Sequence, residues 1–291
     1  MDMKLYNHFL GIVILASSFL VSCQNELAFE TEQYMKQVYL VGACEDILEK
    51  DIPYGGEQEF FVSVAISGST ESDKDVVVKL CNADKSNIDT YNKKFVIEGE
   101  EPYQELPTDW YSFVSEQVVI PAGDTYVRIP IKLKTDKIDC DERYMLPLKI
   151  ENVSDYKITE KDTVLLVAPT MVNDYSGTFV VEGTYQEVSQ DGELVGTVSV
   201  LSANRVLTAV SENKVRFFHK AVLERPENIS ESTLTITVNP DSSVLIKGWD
   251  KLQILAGGGT YQADKNVFNI WYDYQDGSRI YRMKLQMKGL I

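Results

Sequence analysis

Histidine is nearly absent from this chain. Among 291 residues there are two, His8 and His219, and His8 lies in a segment that reads as a removable leader. A site built on several histidines is therefore excluded. A Ser-His-Asp or Cys-His device could use only His219, whose neighbours Arg216, Phe217, Phe218 and Lys220 read as a strand edge. Basic residues are also scarce, with 28 Lys and Arg against 44 Asp and Glu and a formal charge of −16. Phosphate backbones are held by Lys and Arg that displace counterions, so nucleic acid is not an expected partner. The same charge argues against attraction to an anionic lipid surface.

Cysteine is sparse too. Once Cys23 is set aside, Cys44, Cys81 and Cys140 remain. An odd number cannot form a fully paired framework. A Cys44–Cys81 bridge is open on the sequence, their spacing matches no zinc motif, and small, partly buried thiols are the favoured reading. Glycine forms one run, Gly257-Gly258-Gly259. It lacks the Lys-Ser/Thr ending of a phosphate loop and opens no helix, so it reads as a flexible turn. No cofactor is expected, and no metal site.

The one long apolar run, Phe9 to Val21, follows Lys4 and is too short to span a bilayer as an ordinary anchor. It suits the centre of a signal peptide. It ends in Leu20-Val21-Ser22-Cys23, the pattern of a bacterial lipobox whose cysteine is acylated and becomes the new N-terminus. Residues 1–22 are thus a signal peptide, Cys23 the lipidation site and 23–37 a polar tether. The expected location is the outer membrane, lipid-anchored, at the cell surface.

From Val38 onward the pattern has period two. Phe60, Val62, Val64 and Ile66 alternate with other positions, as do Val76, Val78 and Leu80, then Val127, Ile129, Ile131 and Leu133, then Leu146, Leu148 and Ile150. Short alternating runs punctuated by Gly, Pro, Asn and Asp are half-buried antiparallel strands. About seven such strands indicate an immunoglobulin-like β-sandwich over 38–168. Pro130 and Pro147 fall within strand runs and point to edge strands or bulges. The stretch 82–115 reads as an aromatic, partly helical excursion. Ala168-Pro169-Thr170 breaks the chain. A second β-domain, barrel or sandwich, occupies 172–291, with strands at 179–188, 194–201, 206–210, 234–238 and 244–246 and a hairpin signal at Asp191-Gly192. At the end, Asp276-Gly277 is a favoured hairpin turn. Pairing about it sets Tyr272 against Tyr281, Ile270 against Met283 and Phe268 against Leu285 on an apolar face. Asn269 and Trp271 then oppose Lys284 and Arg282 on a polar face.

With these features the sequence resembles the two-domain surface lipoproteins of Bacteroides-type bacteria, a family of unknown function. The likeness rests on the lipobox and on the first-domain run from Asp89-Thr90-Tyr91-Asn92 through Leu106-Pro107, Tyr111 and Val119-Ile120-Pro121-Ala122-Gly123 to Tyr144-Met145-Leu146-Pro147-Leu148-Lys149-Ile150. It rests also on a β-rich C-terminal domain that opens at Tyr175-Ser176-Gly177 and closes in a long hairpin. The resemblance implies an immunoglobulin-like first domain, a lipocalin-like or sandwich second domain, and a frequent setting in glycan uptake. It supplies no binding or catalytic residues.

Three functions follow as expectations. The first is a non-catalytic surface protein that binds glycans, because sugars stack their C–H faces on flat rings and the chain carries 16 Tyr and 3 Trp. The candidate platforms are Trp110, Tyr111, Trp249 and Trp271, with Arg282 beside the last. The second is a structural or adhesive module that contacts another outer-membrane protein. The third, a carboxylate-pair glycoside hydrolase, has no distinguished pair among so many acids. The cluster Asp136, Asp139, Asp141 and Glu142 offers oxygen ligands but lacks a calcium-loop pattern and reads as a solvated acidic turn.

Overall fold

A computed structural model of the chain describes residues 32–44 and 46–290. The leader and the lipobox, including Cys23, lie outside the described residues. The first domain is a two-sheet sandwich of eleven described strands: β1 (Gln37–Leu40), β2 (Ile47–Pro53), β3 (Glu57–Ile66), β4 (Val76–Asn82), β5 (Gln104–Glu105), β6 (Tyr111–Phe113), β7 (Gln117–Ile120), β8 (Tyr126–Lys134), β9 (Tyr144–Val153), β10 (Lys157–Ile158) and β11 (Val164–Val172). One sheet runs β10-β1-β3-β8-β6 and the other β2-β11-β9-β4-β7, with β5 added beside β9. The inward alternation expected for Phe60 to Val64, Val76 to Leu80 and Ile129 to Leu133 fills the space between the sheets. The strand count exceeds the expected seven because short strands add to the sheet edges. Three of the pairings, β1 with β10, β2 with β11 and β5 with β9, are parallel.

The strand prolines do not mark edge strands. Pro130 pairs with Phe61 on one side, while β6 on the other side covers only Ile131 to Leu133. Pro147 pairs with Leu166, and on its other flank β4 ends at Leu148. Pro169 pairs with Lys50 just beyond Val167, where the pairing of β11 with β9 stops. Each proline thus sits where one neighbour has run out, so its missing N–H costs no ladder bond. The expected chain break at 168–170 lies inside β11 for this reason, and the link between domains is Asn173–Ser176.

The excursion does contain a helix, α1 (Ser86–Phe95). Its Ile88 joins Tyr103, Met145, Leu166 and Ala168 in a small core on the outer face of the second sheet. That cover explains why β9 is buried on both faces from Tyr144 to Leu148. The expected tether is partly docked. The Glu32 carboxylate accepts from the backbone N–H of Ser69 at 2.7 Å and the hydroxyl of Thr70 at 2.7 Å, and Gln37 already belongs to β1. The hydrogen bond from Lys36, followed by those from Ser69 and Thr70, holds its carboxyl well below the usual range.

The second domain is a closed eight-stranded antiparallel barrel in sequence order. Its strands are β12 (Gly177–Val188), β13 (Leu194–Ser211), β14 (Lys214–Phe218), β15 (Thr233–Val238), β16 (Ser243–Gly248), β17 (Ile254–Gln262), β18 (Val267–Asp276) and β19 (Arg279–Gly289). Closure comes from β12 pairing with β19. The two runs expected at 194–201 and 206–210 are one continuous strand. The glycine run 257–259 is not a turn but the middle of β17, where a side chain on Gly259 would overlap the Asn269 carbonyl of β18. Close strand approach, not flexibility, selects glycine there.

The final hairpin is shifted by two residues from the sequence reading. Tyr272 faces Met283, Ile270 faces Leu285 and Phe268 faces Met287, while Trp271 faces Lys284 and Asp273 faces Arg282. Asp276 pairs with Arg279, so the loop is Gly277-Ser278, with Gly277 at φ +60°. A slip of two leaves every side chain on its face, which is why the apolar and polar faces are as expected although the partners are not.

Candidate functional site

The strands alternate inward and outward, so the positions nearest the ends of the barrel decide what each end does. At the end nearest the first domain the barrel is shut. Tyr175, from the interdomain link, packs edge-on against Tyr261 at 5.0 Å between ring centres, and Tyr261 lies 4.5 Å from Phe268, beside Phe179. The Asn173 side chain donates to the carbonyls of Ser211 and Lys214 at 2.6 and 2.9 Å, which ties the link to the barrel rim.

The opposite end is open. Inward-facing Tyr185 on β12, Tyr274 on β18 and Tyr281 on β19 come together there, with Tyr274 and Tyr281 stacked at 5.7 Å and Tyr185 edge-on to Tyr281 at 6.3 Å. They line a cavity of about 390 Å³ with Ser199, Glu187, Lys220, Asp276 and Arg279. That volume is in the range of small-molecule sites, about 300–1,000 Å³. Lys220 follows the end of β14 in a left-handed conformation, φ +57°. A non-glycine residue there stores strain of order 1 kcal/mol. The conformation accompanies an ammonium lying 4.6 Å from the Tyr274 ring centre and bonded to Asp276 at 2.6 Å. Arg279 pairs with Glu187 at 3.4 Å. Burial, followed by the charges of Tyr185 and Asp276, pushes the Tyr274 hydroxyl above its ordinary range.

Below the cavity His219 is buried, with its ring edge-on to Tyr274 at 5.0 Å. Burial and then the nearby Lys220 pull it down to about 4, so it is neutral at pH 7. It follows β14, continuing the inward face of Val215 and Phe217; because β14 pairs with both β13 and β15, this segment is not the strand edge the sequence suggested.

The aromatic residues singled out in the sequence are scattered. Trp110 and Tyr111 belong to the sandwich core, where Trp110 packs against Tyr144 and Tyr111 takes a hydrogen bond from Asn82 at 2.5 Å. Trp249 lies under the guanidinium of Arg216 at 4.8 Å. That arginine is buried and reaches across to the first domain, forming a bidentate pair with both oxygens of Asp141. Trp271 stands on the outer wall of the barrel, 38% exposed, with Arg282 5.2 Å from its ring and itself held by Asp273 at 2.7 Å through two hydrogen bonds. These residues form no common surface.

The ligand atoms of Asp139, Cys140 and Asp141 lie within 4.8 Å of one another, but the Asp141 carboxylate is committed to Arg216. Burial pushes the Cys140 thiol up to about 11. Cys44, Cys81 and Cys140 are all free. The mouth tyrosines escaped the sequence reading because inward aromatic positions look like core. The signal that could have found them is the pair Tyr274 and Tyr281 flanking the Asp276-Gly277 turn, where an inward residue has no further core layer to meet.

One family model, described as an N-terminal domain, matches residues 34–157, and a second, described as C-terminal, matches 163–288. No curated protein matches the sequence. Among solved structures, a protein of unknown function from Bacteroides ovatus is similar at 19% identity, with 88% of this chain and 93% of that one covered and a TM-score of 0.62. A multidomain protein from Bacteroides ovatus is similar at 20% identity, with 88% and 93% covered and a TM-score of 0.60. An auxiliary nutrient binding protein from Bacteroides thetaiotaomicron is similar at 16% identity, with 83% and 90% covered and a TM-score of 0.58. At such identities the likeness establishes the fold. With both domains matched in order, the chain belongs to the two-domain family of unknown function, known from Bacteroides, that joins an immunoglobulin-like sandwich to a β-barrel.

Proposed function

We propose that this chain is an exported, lipid-anchored surface protein that binds glycans, without altering them, in the open mouth of its barrel. The observation that carries the reading is the grouping of Tyr185, Tyr274 and Tyr281 with Lys220, Asp276, Glu187 and Arg279 around one cavity. The half-buried rings of Tyr185 and Tyr281, with Tyr274 buried behind them, offer the stacking faces a sugar needs, and the charged groups at the rim offer donors and acceptors for its hydroxyls. The lipobox at Leu20 to Cys23 supports export and anchoring, with the barrel held away from the membrane by the sandwich domain. The similar nutrient binding protein of Bacteroides thetaiotaomicron supports the same class of function.

A non-catalytic role is favoured because the two carboxylates at the mouth, Glu187 and Asp276, are each held by a cation, and His219 is buried and neutral. The test is a glycan array probed with soluble protein lacking residues 1–23, followed by Tyr281→Ala. Binding that Tyr281→Ala abolishes supports the proposal, and reproducible hydrolysis of a bound polysaccharide contradicts its non-catalytic part. A second reading, contact with another surface protein, is favoured by one feature. Val198, Val200 and Val206 stand exposed along the outer face of β13. A charged residue at Val200 would then abolish co-purification of that partner and leave glycan binding intact.

A further inference from the structure

One strand of the barrel outruns its neighbour. β13 has 18 residues, and β12 pairs with it from Leu207 back to Leu194. On its other side β14 pairs only at Thr208, Ala209 and Ser211. The direction of the remaining backbone groups follows from one bond. The Thr178 carbonyl accepts from the N–H of Leu290, just past β19. Even-numbered residues of β12 below its bulge therefore point their backbone groups at β19, and odd-numbered ones at β13. Ser199, Leu201, Ala203 and Arg205, which face Tyr185, Gly183, Val181 and Phe179, complete that ladder. Val200, Ser202 and Asn204 point N–H and C=O the opposite way. The Asn204 carbonyl accepts from the Arg205 guanidinium at 3.2 Å. Among the described residues no main-chain group bonds to this edge between Ser199 and Asn204.

A free strand edge is a template for another strand, and folded proteins blunt such edges with charges, prolines or bulges. In β13 the bulge is confined to the tip, between Ser199 and Val195, where Gly196 takes φ +75°. From Leu194 to Asn204 there is no charged residue and no proline, although charged residues make up 25% of the chain. The one charge in β13, Arg205, is buried and pairs with Glu224 at 3.2 Å. The side chains beside the free groups stand in the open: Val200 is 78% exposed, and Val198 and Val206 are exposed too. A surface that meets its own copy brings each charge near a like one, which a chain of formal charge −16 resists. This edge has no charge to bring. Its outward groups are also self-complementary. About a two-fold axis through Ser202, antiparallel pairing sets Val200 against the partner's Asn204 and Ser202 against its own counterpart.

We infer that the free edge of β13 pairs, antiparallel about Ser202, with the same edge of a second copy of this chain, joining two barrels through one sheet. The edge is about 27 Å long and about 10 Å deep, on the order of 300 Å². A stable complex covers roughly 800 Å² per partner. Pairing is therefore weak between free molecules and strengthened where two copies are held on one surface. The inference does not rest on the glycan reading, and it gives the exposed valines of the second reading a specific occupant.

Sedimentation equilibrium of the soluble protein lacking residues 1–23, from micromolar to millimolar concentration, tests it. The weight-average mass should rise toward twice the monomer value. Val200→Lys should hold it at the monomer value and melt with the parent. The added lysine reduces the net negative charge, so that loss cannot come from general repulsion. Ser202→Pro removes an N–H that serves no ladder bond and should also abolish pairing. Ser202→Cys, in a Cys44→Ser background because the Cys44 thiol is exposed, should form a disulfide-linked dimer at millimolar concentration. Facing Cα atoms in such a pair lie about 5.5 Å apart, within the range of about 4.4–6.8 Å that a disulfide spans. A chain that is monomeric throughout, a dimer that survives both Val200→Lys and Ser202→Pro, or a dimer that Ser202→Cys fails to link would overturn the inference. Each of those results leaves glycan binding, and contact with a different surface protein, in place.

Discussion

The two ends of the barrel are built from the same strands and the same kind of residue, yet they do opposite things. At the closed end Tyr175, Tyr261, Phe268 and Phe179 pack ring against ring beneath the interdomain link. At the open end Tyr185, Tyr274 and Tyr281 leave a cavity ringed by ion pairs, above a layer of unpartnered polar atoms. An aromatic inward position is thus not a site by itself. The link Asn173–Ser176 plugs one end with Tyr175, and among the described residues nothing equivalent plugs the other.

The comparison breaks most visibly if the two ends contribute alike to stability. Phe268→Ala at the closed end removes a fully buried ring from the barrel core and should lower unfolding free energy by about 3–5 kcal/mol, read from denaturant midpoints. Tyr281→Ala, a half-buried ring at the rim, should lower it by about 1 kcal/mol.

Acid should act at the open end first. His219 is neutral in the fold with its value near 4, against about 6.5 unfolded. The unfolded chain therefore binds more protons between those values, and stability falls as pH drops through that window. The full effect is about 3 kcal/mol. His219→Gln should flatten the stability profile between pH 6.5 and 4, leaving the later loss as carboxylates such as Asp276, whose value is lowered by Lys220, become protonated. An unchanged profile in that variant would place the acid sensitivity elsewhere.

The outer wall should matter least. Trp271 is partly exposed and stacks only on Arg282, so Trp271→Ala should cost under about 1 kcal/mol in a thermal melt. Under this account it should leave glycan binding unchanged, whereas the sequence made it a platform.

What the sequence revealed was set by periodicity. Alternation placed Phe268, Ile270, Tyr272 and Tyr274 inward and Trp271 outward, because facing depends only on odd and even position. Partner identity depends on which two residues make the loop, and Asp276-Gly277 and Gly277-Ser278 are both plausible turns with the same facing. The Gly257 to Gly259 run and Pro169 were misread for one reason: each has a meaning in a strand that depends on a neighbour remote in sequence, the Asn269 carbonyl for Gly259 and the end of the β9 pairing for Pro169. The candidate site was illegible for the same cause. Tyr185, Tyr274, Tyr281 and Lys220 meet only when β12 closes on β19, and no local pattern signals that closure.

The most direct test of the central claim is a paired one, glycan titration and thermal melting of Tyr281→Ala and Tyr175→Ala with a glycan that the parent protein binds. The account predicts that Tyr281→Ala loses binding while melting close to the parent, and that Tyr175→Ala melts lower while binding normally. Normal binding by Tyr281→Ala, or binding lost in a still-folded Tyr175→Ala, would contradict the assignment of one end to stability and the other to ligand.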